Sequence, residues 1–417
     1  MDIVKYKLAN GLKVVVQPDH SSPLVAMNLI YDVGARDEDP EMTGLAHLFE
    51  HLMFGGSTNI KDFDKPLQEA GGENNAFTNN DFTNFHLTLP SQNIETGFWL
   101  ESDRMLGLNF SEEGLAVQQK VVIEEFKQRY FNQPYGDAWL HLRPMAYKTH
   151  PYRWSTIGKE LSHIEKPGLK ELKQFFYHHY APNNAILSLC GNIVPEAALS
   201  LAEKWFGPIE KRDIPLRNLP TEPDQVMEER LVLSQPVPAD CIYLAFHMAA
   251  RLSDRFYTID LISDILAGGN SSRLYQVLVK EKELFSSVDA YITGDVDPGL
   301  FIVTGKPLPG IKIEKAEEAL WNELHAMSQT ALSNYELNKV QNKFEANFIY
   351  GQTSVLNKAM NLGYFEWLES AEMIEQEVSR YRQIEADSII NEASRLFRRE
   401  NCSTLIYQSE MKANDNQ

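Results

Sequence analysis

Residues 47–51 read His-Leu-Phe-Glu-His. On an α-helix, positions four apart lie one turn above each other, so His47 and His51 can turn an imidazole nitrogen toward one ion. Glu50, three residues from His47, faces the same side. Two imidazoles suit zinc, and a catalytic zinc takes three protein ligands and keeps a fourth position for water, whose pKa it lowers to about 7. Glu50 is then placed to act as general base for that water. The pattern points to metal-assisted hydrolysis with one Zn2+ per chain.

A third ligand has to come from elsewhere, and the segment "SEEGLAVQQKVVIEEFKQRY" offers one. At about 100° per residue, Leu115, Val117, Val121, Val122 and Phe126 are expected to form its buried face, with Glu125 projecting into the middle of that face and Glu124 at its edge. An ionised carboxylate on a buried face is costly unless it is paired or metal-bound. Glu125 is therefore the expected ligand, and Gln118, two turns earlier on the same stripe, can support the site from behind.

These residues need elements to hold them. The runs "LKVVVQPD" and "LVAMNLIYDVGA" read as strands leading into a helix at "TGLAHLFEHLMFGG", with Thr43 as its N-cap and Gly55-Gly56 as its stop. A strand is expected at "NNAFTNNDFTNFHLTLP", helices over about 92–107, 112–130 and 168–180, and a buried strand at "NAILSLCGN". The stretch 209–229 is rich in proline and charge and has no periodicity, which marks an interdomain linker centred on 216–229 between domains at 1–215 and 230–417. Beyond it the order restarts: a strand at "CIYLAFHMA", helices over about 254–266 and 272–283, a strand at "GLFIVTGKP", helices over 313–328 and 333–348, and a strand near "STLIYQS". Both halves run strand, helices, strand, helices, strand, the signature of a duplicated α+β unit.

Composition narrows the function. A chain of 417 residues, 43% hydrophobic and 23% charged, has the make-up of an ordinary globular protein of two or three domains, and no apolar run is long enough to span a bilayer. The net charge of −19 argues against nucleic acid as a partner and suits basic peptides. Three widely spaced cysteines suggest neither a disulfide framework nor a thiolate zinc site. With no signal peptide in "MDIVKYKLANGLKVVV", the expected location is cytoplasmic unless a leader has been removed.

"HLFEH" is the inverted zinc motif His-x-x-Glu-His, and Glu125 follows His51 by 74 residues. Together with "NGLKVVV", "DVGARDE", "GGENNAFTNNDFTNF", "HPYRWSTIG" and "GGNSSRLYQVL", it resembles the M16 peptidases, the pitrilysin, insulinase and mitochondrial-processing-peptidase group, over nearly the whole chain. The length is similar to the M16B branch, in which two such chains form a chamber. The resemblance implies two similar α/β-sandwich halves, each a mostly antiparallel sheet packed against helices (M16/LuxS-like). It also implies that His47, His51 and Glu125 bind zinc, that Glu50 activates water, and that the edge strand around Asn75, Ala76 and Phe77 takes up an extended peptide.

The sequence departs from the family at two places. Gln118 stands where a glutamate usually supports the metal. Active members also carry an arginine and, seven residues on, a tyrosine in a segment like "LREKRGLAYSV"; here "LVKEKELFSSV" puts Val279 and Ser286 at those positions. Neither can stabilise an oxyanion as that pair does. The resemblance thus implies the zinc-bearing subunit of a heterodimer whose homologous partner supplies Arg and Tyr. A non-catalytic assembly subunit and a homodimeric peptidase are the alternatives.

Overall fold

The computed structural model describes residues 2–410; the last seven positions of the domain expected over 230–417 lie outside them. The first sheet comprises Val4–Lys7 (β1), Lys13–Pro18 (β2), Leu24–Tyr31 (β3), Glu73–Thr78 (β4), Thr83–Pro90 (β5) and Ala185–Gly191 (β6), in the order β1-β2-β6-β3-β5-β4. All pairs are antiparallel except β2 with β6. β6 is buried throughout and β3 at all but its first residue. Strands covered on both faces read as continuous apolar runs, which is why these two are plain in the sequence.

Helices Ile94–Leu106 and Pro195–Trp205 pack on β5 and β2. Helix Val355–Leu368 covers β3 and β6, where Ala359 and Leu362 join Val15, Ala26, Ile186 and Cys190 in one apolar cluster. A Cβ at Gly363 would stand 2.6 Å from Ser188 Oγ and 2.7 Å from Asn28 Nδ2, so only glycine lets this helix lie so close to the sheet. The Ser188 hydroxyl donates to the Ala359 carbonyl at 2.8 Å across the same contact.

The second sheet comprises Glu229–Gln235 (β7), Cys241–His247 (β8), Phe285–Ile292 (β9), Leu300–Pro307 (β10) and Cys402–Ser409 (β11), in the order β7-β11-β8-β10-β9. Only β7 and β11 run parallel. Helices Asp254–Ala267, Ile313–Gln329 and Ala386–Leu396 contribute to the core on one face. Helix Ala138–Ala146 covers the other, with Leu142 among Ala245, Ile302, Leu405 and Tyr407. Strands β7, β11, β8, β10 and β9 thus repeat the arrangement of β2, β6, β3, β5 and β4, parallel step included. The expected fold of two similar halves, each a mostly antiparallel sheet packed against helices, is present as topology.

Some elements differ from the sequence reading. The single strand expected over 74–90 is a hairpin, because Asn79 Oδ1 accepts the backbone N–H of Asp81 and of Phe82, both at 2.8 Å, and folds the chain back. The segment expected as a helix over 272–283 holds a π-helical turn, Tyr275–Glu281. Strands β1, β7 and β9 escape the sequence reading: each lies at a sheet edge and is half exposed or rich in polar residues.

The chain forms two compact units that do not follow the linear division at 216–229. Lys127–Arg153 belongs with the second sheet and Phe348–Gln376 with the first. The physical reason is that a sheet apolar on both faces must be covered twice, and each takes one covering helix from the other half of the sequence. The linker is also less free than its composition suggests. In the first unit Arg217 pairs with Asp32 and Asp37. In the second, the Glu222 carboxylate accepts the backbone N–H groups of Lys148, Thr149 and His150 at 2.7–2.9 Å. Among the described residues no helix is long and apolar enough to cross a membrane.

Candidate metal centre

His47 and His51 lie on helix Leu45–Leu52, which buries Leu45, Ala46, Leu48 and Phe49 and leaves both imidazoles half-buried. Phe49 fixes the helix from behind, stacking on Phe175 (5.3 Å between ring centroids) and Tyr180 (5.2 Å). The N-cap is Gly44, at φ +89°, rather than Thr43. A Cβ on Gly44 would meet the Ile157 carbonyl at 2.7 Å, so neither its backbone angle nor its surroundings admit a side chain. Thr43, displaced by one residue from the capping position, accepts the Lys159 N–H at 2.8 Å instead.

The N-terminal amides are held by Glu38, whose carboxylate accepts from Gly44 N (2.8 Å) and Ala46 N (2.9 Å). A carboxylate at a helix N-terminus also meets the favourable end of the helix dipole, while burial pushes the Glu38 carboxyl up from its ordinary value. Sequence reasoning missed this cap because a capping box is sought within three residues, whereas Glu38 reaches back from six before Gly44. At its other end the helix stops at Leu52, with Met53 as C-cap, before the expected glycine pair.

Helix Glu112–Phe126 brings up the third group and then loosens into a π-helical turn, Lys127–Phe131. Its buried stripe is Leu115, Val122 and Phe126; Val117 and Val121, expected inside, are 51% and 46% exposed. The stripe is therefore narrower than read, and Glu125 flanks it rather than sitting at its centre. Glu124 lies on the exposed side. Glu125 Oε2 lies 3.6 Å from His47 Nε2 and 3.4 Å from His51 Nε2.

One potential ligand atom from each of His47, His51 and Glu125 lies within 4.8 Å of the other two. Donors about 2.0–2.2 Å from a single tetrahedral zinc stand about 3.3–3.6 Å apart, so the two contacts to Glu125 match the edges of such a shell. The donor set, two imidazole nitrogens and one carboxylate oxygen, is one that zinc accepts while keeping a position open. Among the described residues this is the only group of three or more His, Cys, Asp or Glu side chains close enough to share an ion. Gln118 sits half-buried with its amide nitrogen 3.9 Å from where a Gly55 Cβ would stand, beside the end of the motif segment.

Glu50 lies close enough to His51 and Glu125 to feel the charge of both. Its Oε2 accepts the Thr78 hydroxyl at 2.7 Å. Burial raises its pKa, with the nearby Glu125 charge acting in the same sense and the Thr78 bonds and His51 opposing. Sequence reasoning did not single out Thr78, although the neighbouring Asn75, Ala76 and Phe77 were expected to take up an extended peptide.

Thr78 ends β4, which occupies the sheet edge and, among the described residues, pairs only with β5, from Glu73 opposite Thr88 to Thr78 opposite Thr83. Asn75, Ala76 and Phe77 lie along it; Asn75 Oδ1 accepts the Ala76 N–H at 2.8 Å, and Phe77 meets Phe82 edge-on at 5.8 Å. In the second unit, Val279 packs against the apolar core from the π-helical turn. Ser286 is exposed on β9 and donates to the Lys306 carbonyl at 3.1 Å.

Comparison with known proteins points the same way. Residues 13–158 match the family model described as insulinase, peptidase family M16, and residues 168–344 match the one described as the peptidase M16 inactive domain. The chain is similar to the zinc protease PqqE of Helicobacter pylori, 28% identical over 348 residues that cover 82% of this chain and 78% of that one. It is 25% identical over 416 residues to an uncharacterized zinc protease of Rickettsia felis, covering 97% and 98% of the two chains. The crystal structure of a protease from Helicobacter pylori superimposes with a TM-score of 0.91 at 25% identity, covering 98% of this chain and 99% of that one. A peptidase M16 inactive domain structure from Pseudomonas fluorescens shares the fold, with a TM-score of 0.89 at 17% identity over 98% of each chain. Two sheets of repeated topology, an inverted zinc motif brought against a distant glutamate, and M16 models matched in both halves make this chain a member of peptidase family M16.

Proposed function

We propose that this chain is a zinc-dependent endopeptidase subunit that hydrolyses peptides or unfolded segments. The observation that carries the reading is the convergence of His47, His51 and Glu125 with Glu50 held beside them by Thr78. One zinc per chain, bound by those three, would act as a Lewis acid and make water a nucleophile near neutral pH. Glu50 takes the proton from that water on its carboxylate and returns it to the leaving amine nitrogen. Gln118 supports the motif segment without adding charge.

The substrate lies along the open edge of β4, its backbone pairing at Asn75, Ala76 and Phe77 as an added strand. Only an extended chain can do so, which selects unfolded segments over folded domains. The missing Arg and Tyr, replaced by Val279 and Ser286, favour a heterodimer in which a homologous M16B subunit supplies the oxyanion donors. The same two residues, with the match to the inactive-domain model, are what favours the second reading, a non-catalytic assembly subunit; a homodimeric peptidase needs donors from elsewhere in the chain. Three free, buried cysteines suit the reducing cytoplasm, the location we assign.

Metal analysis tests the ligand set. Glu125→Gln should drop zinc from about one per chain to a small fraction of that, since a neutral amide is a poor third ligand, while Glu124→Gln should keep the full complement. The reverse pattern would contradict the site.

A further inference from the structure

Resting on the reading of Glu50 as the base, we propose that Thr78 is its positioning residue and ties the base to the substrate strand. Glu50 sits on the motif helix, but what holds its carboxylate is not on that helix. Thr78 Oγ1 donates to Glu50 Oε2 at 2.7 Å, and the Thr78 backbone N–H binds the same carboxylate. Two donors from one residue hold the carboxylate against the end of the strand.

Thr78 is also the last residue of β4, paired across the hairpin with Thr83. It lies next to Phe77 and two residues from Ala76, on the same strand that a peptide would extend. The base is thereby fastened to the strand that binds substrate, and the carboxylate and the peptide backbone share one rigid frame. A glutamate side chain left to its own rotamers samples several positions; one pinned to a strand is already oriented when substrate arrives, which is how positioned groups gain rate. The hydroxyl contributes the part of this clamp that a substitution can remove without disturbing the backbone.

Thr78→Val is close to isosteric, keeps the β-branch that suits a strand, and deletes the hydroxyl; Thr78→Ser restores it. Peptide turnover is measured on the full chain, with its homologous partner present if turnover requires one, alongside zinc content and a crystal structure of each variant. Thr78→Val should lower kcat about ten- to thirtyfold with KM changed less than twofold and zinc retained, and Thr78→Ser should recover to within about threefold of the parent. In the crystal, Glu50 should occupy a new or second position in Thr78→Val and the parent position in Thr78→Ser. Combined with Glu50→Gln, the valine change should cost nothing further, because two residues acting as a unit are not additive. The proposal is overturned if Thr78→Val keeps its kcat with Glu50 unmoved, or if serine is as impaired as valine. Activity surviving in Glu50→Gln would instead remove the reading on which the proposal rests, so the two failures are distinguishable.

Discussion

Glu50→Gln retains its zinc and its fold and loses peptide hydrolysis by about 10²–10⁴-fold, the range a positioned general base supplies. The substitution preserves shape and the oxygen that accepts from Thr78, so the hydrogen bond at 2.7 Å can persist. It leaves His47, His51 and Glu125 untouched. What it removes is the one group that can take up a proton at the right place. The effect is expected to fall on kcat, with KM little changed, because the proposed peptide contact is the β4 edge and not Glu50. Metal content and circular dichroism of the variant, measured beside its kinetics, separate this from a folding defect. Peptide turnover within tenfold of the parent enzyme would remove Glu50 from the mechanism.

The second large effect comes from the positions of Val279 and Ser286. The tetrahedral intermediate of peptide hydrolysis carries an oxyanion, and losing one preorganised donor to it costs about 10²–10³-fold in rate. Val279 is committed to the apolar core of its unit, and the Ser286 hydroxyl donates to the Lys306 carbonyl. The isolated chain should consequently be a feeble peptidase. Adding a homologous subunit that bears Arg and Tyr at the matching positions should raise turnover about a hundredfold or more. Mutating either residue in that subunit should abolish the gain without altering zinc in this chain. Full activity of the isolated chain, unchanged by any such subunit, would contradict the heterodimer and favour donors within the chain itself.

Much of this site was legible in the sequence for a physical reason. His47, Glu50 and His51 are four residues or fewer apart on one helix, where spacing alone decides which face each takes. Glu125 was reached through a weaker argument, helical phase, which preferred it to Glu124 yet misjudged the face by placing Val117 and Val121 inside. A phase argument counts apolar residues, and an exposed valine pair counts like a buried one. Glu38 and Thr78 could not be found in this way. Glu38 reaches Gly44 and Ala46 from beyond the span of a capping box, and Thr78 reaches Glu50 over 28 residues, from a strand end that is placed only once the sheet has formed. The same limit explains the units. The buried strands β3 and β6 announce themselves, but which helix covers their second face, Val355–Leu368 from far down the chain, is a matter of tertiary packing.

The proposed peptidase chemistry requires one zinc among His47, His51 and Glu125. The most direct measurement is an anomalous difference map of the crystallised protein, recorded on both sides of the zinc absorption edge. One strong peak per chain is expected, about 2.0–2.2 Å from both Nε2 atoms and from a Glu125 carboxylate oxygen. A crystal of zinc-loaded protein with no peak there, or with its zinc bound at other residues, would contradict it.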